Sequence, residues 1–333
     1  GAAVLMLATA CSNDEVVKVA ENSVAIGFSS FVNNSTRAVD NDATTLNDLQ
    51  VWGVSYRGVD GTEVSPYAVF GGDKVTKGTP NWTYENTRYW VAGNSYAFAA
   101  VAPANASGVV VTPVNAVTGA ISSIDFTNNG KVDLLYDAVN VEAQESAAGY
   151  EVVAFNLRHI LSRVRFEFKN ELAEGYSIKV SALNITNAKT KATFNGEEWN
   201  VEDATGTVGF DFDDETVADP KYLDKAAANE SAKSQPSYLF PASEDPEYAL
   251  TFKVELILED AVTGDPVSID TYTHTVTLPA QEFKLGYSYA FKTVINADNV
   301  DPDEVKYPIE FTAEVEDWID DTKTEAEIQF PKD

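Results

Sequence analysis

Leu161-Ser162-Arg163-Val164-Arg165-Phe166-Glu167-Phe168 puts Val164, Phe166 and Phe168 on one side of an extended chain and Arg163, Arg165 and Glu167 on the other. A repeat of two residues marks a β-strand, because successive side chains of an extended backbone point to opposite faces. The same texture continues outward from this stretch. Upstream, residues 49–56, 82–91, 95–101, 109–112, 121–126, 133–139 and 152–157 read as short β-type runs broken by Gly, Asn, Asp and Pro. Downstream, residues 178–185, 192–194, 208–212, 248–258, 272–278, 288–295 and 309–315 continue the pattern, with one polar, helix-tolerant segment at 222–234. There is no sustained 3.6-residue apolar stripe and no tandem repeat of fixed period. Many short strands at near-regular spacing imply β-sandwiches rather than an α/β fold. The polar, small-residue patch at 142–149 (EAQESAAG) is the linker expected between two halves.

A chain of 333 residues is long enough for two domains, and its 44% apolar and 11% aromatic content suits a packed core. Net charge is -29, from 52 acidic and 23 basic residues. Such a field repels phosphates, so neither nucleic acid nor an anionic membrane is an expected partner. With Cys11 the lone cysteine, no disulfide can form within the chain, and stability must come from the core. From residue 12 onward no run is long and apolar enough to span a membrane.

Catalytic chemistry has little to stand on. The two histidines are His159, between Arg158 and Ile160, and His274, alternating with Thr273 and Thr275 in a strand-like run. Both suit structural roles. Ser162 lies close to His159, but neighbours along one strand do not make a triad, and no G-x-S-x-G turn occurs. Cys/His zinc sites are excluded by counting, and phosphate-cradling and dinucleotide glycine loops are absent. The acidic run at 211–215 lacks the 1-3-5 oxygen spacing and central glycine of an EF-hand and reads as a solvated turn. No catalytic residue, metal or cofactor is expected. A carboxylate pair for glycoside hydrolysis has candidates in any acidic chain, and none stands out.

The two ends carry more information. Residues 23–31 (SVAIGFSSF) place Val24, Ile26 and Phe28 on one face, and the tail places Ala326, Ile328 and Phe330 on one face as well. Both ends therefore carry small-x-Ile-x-Phe with matched spacing and could fill the same three pockets; two ordinary edge strands would look alike. Burying each large apolar side chain contributes about 1.5–3 kcal/mol, and an added strand brings main-chain hydrogen bonds too. Removing the first strand would leave unpaired backbone and empty apolar pockets, an edge that invites replacement from another chain. Such head-to-tail exchange does not close and builds a fibre. Arg37, the one arginine in the polar stretch after the first strand, reads by itself as a loop cation.

Residues 1–10 (GAAVLMLATA) read as the tail of a secretory h-region. Leu7-Ala8-Thr9-Ala10-Cys11 resembles a bacterial lipobox, which implies cleavage before Cys11 and a lipid on its thiol; a lone cysteine after an apolar run is otherwise a core thiol. The following Ser12-Asn13-Asp14-Glu15 resembles the export signal of Bacteroides-type surface lipoproteins.

Taken in order, Thr36-Arg37-Ala38, residues 49–54, Tyr89-Trp90, Tyr96-Ala97-Phe98, Asp133-Leu134-Leu135, residues 159–166, Leu285-Gly286-Tyr287-Ser288-Tyr289 and Val315-Glu316-Asp317-Trp318 resemble the fimbrillin (Mfa-like, type V pilin) family of Bacteroidales. The resemblance covers nearly the whole chain. It implies an all-β protein with two transthyretin-like antiparallel β-sandwich domains in tandem. The implied segments are a signal remnant and lipobox at 1–11, a propeptide with the first strand at 12–37, domains at 38–147 and 148–318, and a donor-strand segment at 319–333. It also implies lipidation at Cys11, cleavage between Arg37 and Ala38 by an arginine-specific protease, a displaced strand of Val24, Ile26 and Phe28, and a donor strand of Ala326, Ile328 and Phe330. The expected partners are further copies or related pilins, the processing protease and a host surface ligand. The expected locations are the outer membrane for the lipoprotein precursor, then a cell-surface fimbrium. Alternatives are a tip or anchor fimbrillin, a stand-alone surface lipoprotein adhesin that binds a host glycan or protein, and a secreted glycan-active enzyme.

Overall fold

Strand Ser162–Asn170 lies centrally in the structure, a computed structural model that describes residues 23–32 and 46–318 apart from 60–61, 64–65, 80–81, 117–118, 214–215, 217–220, 243–245, 261–262, 264 and 305. The described residues are all-β, with one 3-10 turn at Ala147–Gly149. Among them no helix is long and apolar enough to cross a membrane.

The alternation at 161–168 is realised with a difference. Val164, Phe166 and Phe168 are buried, but so are Arg163 and Arg165. Arg163 donates to Ser288 Oγ at 3.1 Å and Tyr222 Oη at 3.4 Å, and Arg165 lies 3.7 Å from Glu167. Partnering of this kind is what lets a guanidinium leave water. Strand Ser162–Asn170 pairs in parallel with Tyr287–Ile295, which in turn pairs antiparallel with Thr312–Asp317. The facing sheet runs Thr205–Gly209, Tyr176–Lys189, Ala249–Glu259, Pro266–Thr277. Between them lies a core rich in phenylalanine, including Phe166, Phe168, Phe252, Phe291 and Phe311. The helix-tolerant segment at 222–234 instead holds two short strands, Lys225–Ala226 and Ser231–Lys233, each paired to a long neighbour. Local propensity yields there to the edges those neighbours offer.

The other half is built on a seven-stranded sheet in the order Phe28–Val32, Val153–His159, Leu135–Val141, Ser95–Ala102, Asp48–Tyr56, Tyr67–Thr76, Thr83–Tyr84. One face packs on a four-stranded sheet of Trp199–Val201, Lys191–Phe194, Gly119–Thr127 and Val109–Ala116, burying Trp52, Phe126 and Phe194. The other face carries Val51, Phe70, Phe98 and Phe155. The 147/148 boundary does not divide the hydrogen bonding. Val153–His159 lies in the sheet of residues 48–141, and Lys191–Phe194 pairs with Gly119–Thr127. Composition marks 142–149 as linker-like, but strand partnership is decided by remote residues. The pairing is also not uniformly antiparallel: Phe28–Val32 joins Val153–Leu157 in parallel, as Ser162–Asn170 does Tyr287–Ile295.

Candidate functional site

The expected strand at 23–31 forms a ladder only from Phe28 to Val32. With the extended residues 24–27 before it, which make one isolated bridge, it is the stave that links the two ends of the seven-stranded sheet. Ile26 is 1% and Phe28 4% exposed, and half-buried Val24 packs on the same core. Phe28 sits edge-on to Phe70 at 5.1 Å, Tyr84 at 5.6 Å and Phe98 at 5.9 Å, and stacks on Phe155 at 5.9 Å. Phe70 and Tyr84 belong to the far end of the sheet order and Phe155 to the near end, so this ring ties both ends together.

Both edges of the strand are bonded. On one side the Ile26 amide donates to the Arg88 carbonyl at 2.8 Å, and the Trp90 amide donates to the Val24 carbonyl at 2.9 Å, with an antiparallel bridge between Ala25 and Tyr89. Tyr84 Oη donates to the Ile26 carbonyl at 2.7 Å. On the other side the Val153 amide donates to the Gly27 carbonyl at 2.9 Å, and the parallel ladder runs from Phe28↔Val153 to Val32↔Leu157. Burial pushes the Tyr84 hydroxyl above the usual phenol range, offset in part by the Arg88 amide and charge, so it remains a donor at neutral pH. Gly27 faces outward: a Cβ there would stand 3.3 Å from Cγ2 of Val152, an exposed side chain able to turn away.

The wall at residues 84–90 has its own supports. Arg88 Nη2 pairs with Asp73 Oδ1 at 2.7 Å, and its Cζ lies 4.4 Å from the Phe70 ring centroid. Trp90 stacks on Tyr150 at 4.6 Å, and the Tyr150 hydroxyl donates to the Val91 and Asn94 carbonyls. The run at 82–91 is not one continuous strand. In fact only Thr83–Tyr84 is laddered into the sheet, and the chain then turns through Asn86 at φ 55. Asn in that left-handed conformation was the signal available for the turn. Nothing in the local pattern singled out Tyr84 or Arg88 as groove residues.

Of the residues expected to carry function, Val24, Ile26 and Phe28 come together in this one core. Cys11, Arg37, Ala38, Ala326, Ile328 and Phe330 lie outside the described residues. The histidines are both buried. His159 Nδ1 meets Asp133 Oδ1 at 2.8 Å and its ring stacks on Trp318 at 3.8 Å, while Ser162 donates to the Lys284 carbonyl rather than to an imidazole. His274 stacks on Phe252 at 5.1 Å, and burial lowers its pKa. In the acidic run, Asp211 pairs with Lys131, and Asp213 accepts from the amides of Lys221 and Tyr222 and from Gln235, which makes it a loop cap. Trp318 was read only as part of a motif. It ends strand Thr312–Asp317, yet its ring enters the core shared with Trp52 and Phe126 and rivets the two halves.

No curated protein matches the chain. A fimbrial protein from Bacteroides vulgatus ATCC 8482 has a similar structure, with a TM-score of 0.62 at 17% identity over 89% of this chain and 100% of that one. The fimbrial anchor protein Mfa2 from Porphyromonas gingivalis aligns over 89% of this chain and 98% of its own, with a TM-score of 0.36 at 15% identity. The profile described as fimbrillin-like matches residues 36–318, most of the chain, and the protein therefore belongs to the fimbrillin-like family.

Proposed function

We propose that this chain is a non-enzymatic structural subunit of a surface fimbrium, exported as a lipoprotein through Cys11 and assembled by strand replacement. Residues 12–37 are a propeptide. Cleavage between Arg37 and Ala38 by an arginine-specific protease releases the stave, and residues 319–333 of another subunit enter the vacated groove. Ala326, Ile328 and Phe330 then take the places of Val24, Ile26 and Phe28. Gln329 takes the place of Gly27, facing Val152. Each subunit accepts one strand and offers another, so the chain of contacts stays open and gives a fibre for adhesion at the cell surface.

One observation carries this reading. The side chains that fill this core belong to the extended residues 24–28, bonded over 24–26 to residues 88–90 and from Gly27 onward to Val153–Leu157, while residues 326–330 repeat their small-x-Ile-x-Phe pattern. Losing that strand uncovers Phe70, Phe98 and Phe155 and leaves the Trp90 amide and Arg88 carbonyl without their partners. An incoming strand of the same alternation restores both.

The test is to treat the purified full chain with a protease that cuts after arginine. The product should begin at Ala38 and form a ladder of SDS-resistant oligomers. A trimmed product that stays monomeric refutes the proposal.

A further inference from the structure

Arg88 does two separable things at the groove. Its main chain meets the stave, with the carbonyl accepting from the Ile26 amide at 2.8 Å. Its side chain is fastened elsewhere. Nη2 pairs with Asp73 at 2.7 Å, Nη1 donates to the carbonyls of Glu85 at 3.3 Å and Asn86 at 3.1 Å, and the guanidinium lies over the Phe70 and Tyr84 rings. Asp73 and Phe70 stand on strand Tyr67–Thr76, which is laddered along its length to Asp48–Tyr56 and does not depend on the stave for its pairing. The same fastening holds Tyr84, whose hydroxyl accepts from the Arg88 amide at 3.3 Å and donates to the Ile26 carbonyl.

We propose that Arg88 is a positioning residue that keeps the wall at 84–90 shaped to receive a strand after the stave has left. The inference rests on the strand-replacement reading above. When the stave departs, the wall loses the Ile26 amide and the Val24 carbonyl, and an unsupported turn of this length would be free to fold over the exposed Phe70 and Phe98. The ion pair to Asp73 and the cation-π contact with Phe70 are unaffected by that loss. Both are half-shielded from water, with side-chain exposures of 26% for Arg88 and 24% for Asp73, so the pair is screened less than a surface contact. The Arg88 carbonyl and Tyr84 hydroxyl stay aimed into the groove, and the incoming strand meets acceptor and donor already in place. Ordering them beforehand removes an entropy cost from the binding step.

The experiment uses the full chain and its Arg88→Ala, Arg88→Lys and Asp73→Asn variants. Each is treated with an arginine-specific protease in the presence of a dye-labelled synthetic peptide of residues 319–333, and the labelled SDS-resistant product is timed. The melting temperature of the uncut chain and the rate of appearance of the Ala38 terminus are followed in parallel. Peptide uptake should slow about tenfold in Arg88→Ala, from loss of the ion pair and the cation-π contact together. Asp73→Asn should fall between that variant and the parent. Arg88→Lys, which keeps an ion pair, should recover most of the rate. Trimming at Arg37 should be unaltered, and the uncut variants should melt close to the parent because the stave itself holds the wall there. Uptake by Arg88→Ala and Asp73→Asn at the parental rate overturns the proposal, as does a fall in uptake that only mirrors a fall in melting temperature. If Arg88→Ala does not fold, Asp73→Asn decides. A parent chain that takes up no peptide refutes strand replacement itself, and the role of Arg88 with it.

Discussion

Replacing Phe28 by alanine in the full chain deletes a ring that is 4% exposed and touches Phe70, Tyr84, Phe98 and Phe155. Truncating a buried phenylalanine costs about 3–5 kcal/mol, which combines lost transfer energy with the cavity left among the remaining rings. Because the other strands of its sheet pair among themselves, the loss is taken first as local release of the stave. Hydrogen exchange reads that opening directly. The Ile26 amide, bonded to the Arg88 carbonyl, the Trp90 amide, bonded to the Val24 carbonyl, and the Val153 amide, bonded to the Gly27 carbonyl, all report on docking. Their exchange should quicken by roughly two to three and a half orders of magnitude, since each 1.4 kcal/mol is a factor of ten. The Thr127 amide, bonded to the Gly108 carbonyl in the other sheet, serves as the reference and should hold its rate. If the three reporter amides exchange at parental rates in the variant, Phe28 does not hold the stave and the argument for the groove collapses.

Tyr84→Phe removes the donor to the Ile26 carbonyl and should cost about 1 kcal/mol of stave docking, seen as roughly fivefold faster exchange at the same amides. A chain ending after Trp318 should fold as a monomer that caps growing oligomers without extending them; extension at the parental rate in size-exclusion runs would place the donor strand elsewhere. Trp318→Ala should lose about 3–5 kcal/mol in urea denaturation, because its buried ring packs on His159 and Tyr238. His274 supplies a pH dependence: burial lowers its folded pKa below the ordinary 6.5, so the unfolded chain binds the proton more readily. Its contribution is complete above pH 6.5 and is lost as pH falls from there through the folded value. Melting curves between pH 7.5 and 5, marking roughly the span in which histidine titrates, should flatten in His274→Phe relative to the parent.

Strands were legible where the alternation was strong, as at Val164-Arg165-Phe166, because period two is imprinted by the pleat itself. At Val24-Ala25-Ile26 the alternation set burial, but only an isolated bridge from Ala25 to Tyr89 forms, and the ladder begins at Phe28. The burial of Arg163 and Arg165 was not, since it depends on Ser288, Tyr222 and Glu167, and two of these lie more than fifty residues away in sequence. For the same reason the composition of 142–149 does not determine which strands pair across it. Whether Val153–His159 joins the strands before it or those after it is decided by Leu135–Val141 and the stave, not by its own residues. At the candidate site the apolar triplet was readable, and the wall facing it was not. Arg88 and Tyr84 act there through a carbonyl, an amide and a hydroxyl, groups whose placement depends on a turn at Asn86 rather than on any hydrophobic pattern.

The hydrogen bonding of the stave along both edges has a mechanical consequence. A ribbon tugged sideways from one neighbour parts rung by rung, each bond bearing the load alone. A segment laced on both flanks and drawn along its own length must break many rungs together, and the Phe28 ring must leave its socket in the same movement. On the strand-replacement reading proposed above, a strand in this slot would resist withdrawal by traction along its length, a property suited to a filament under tension.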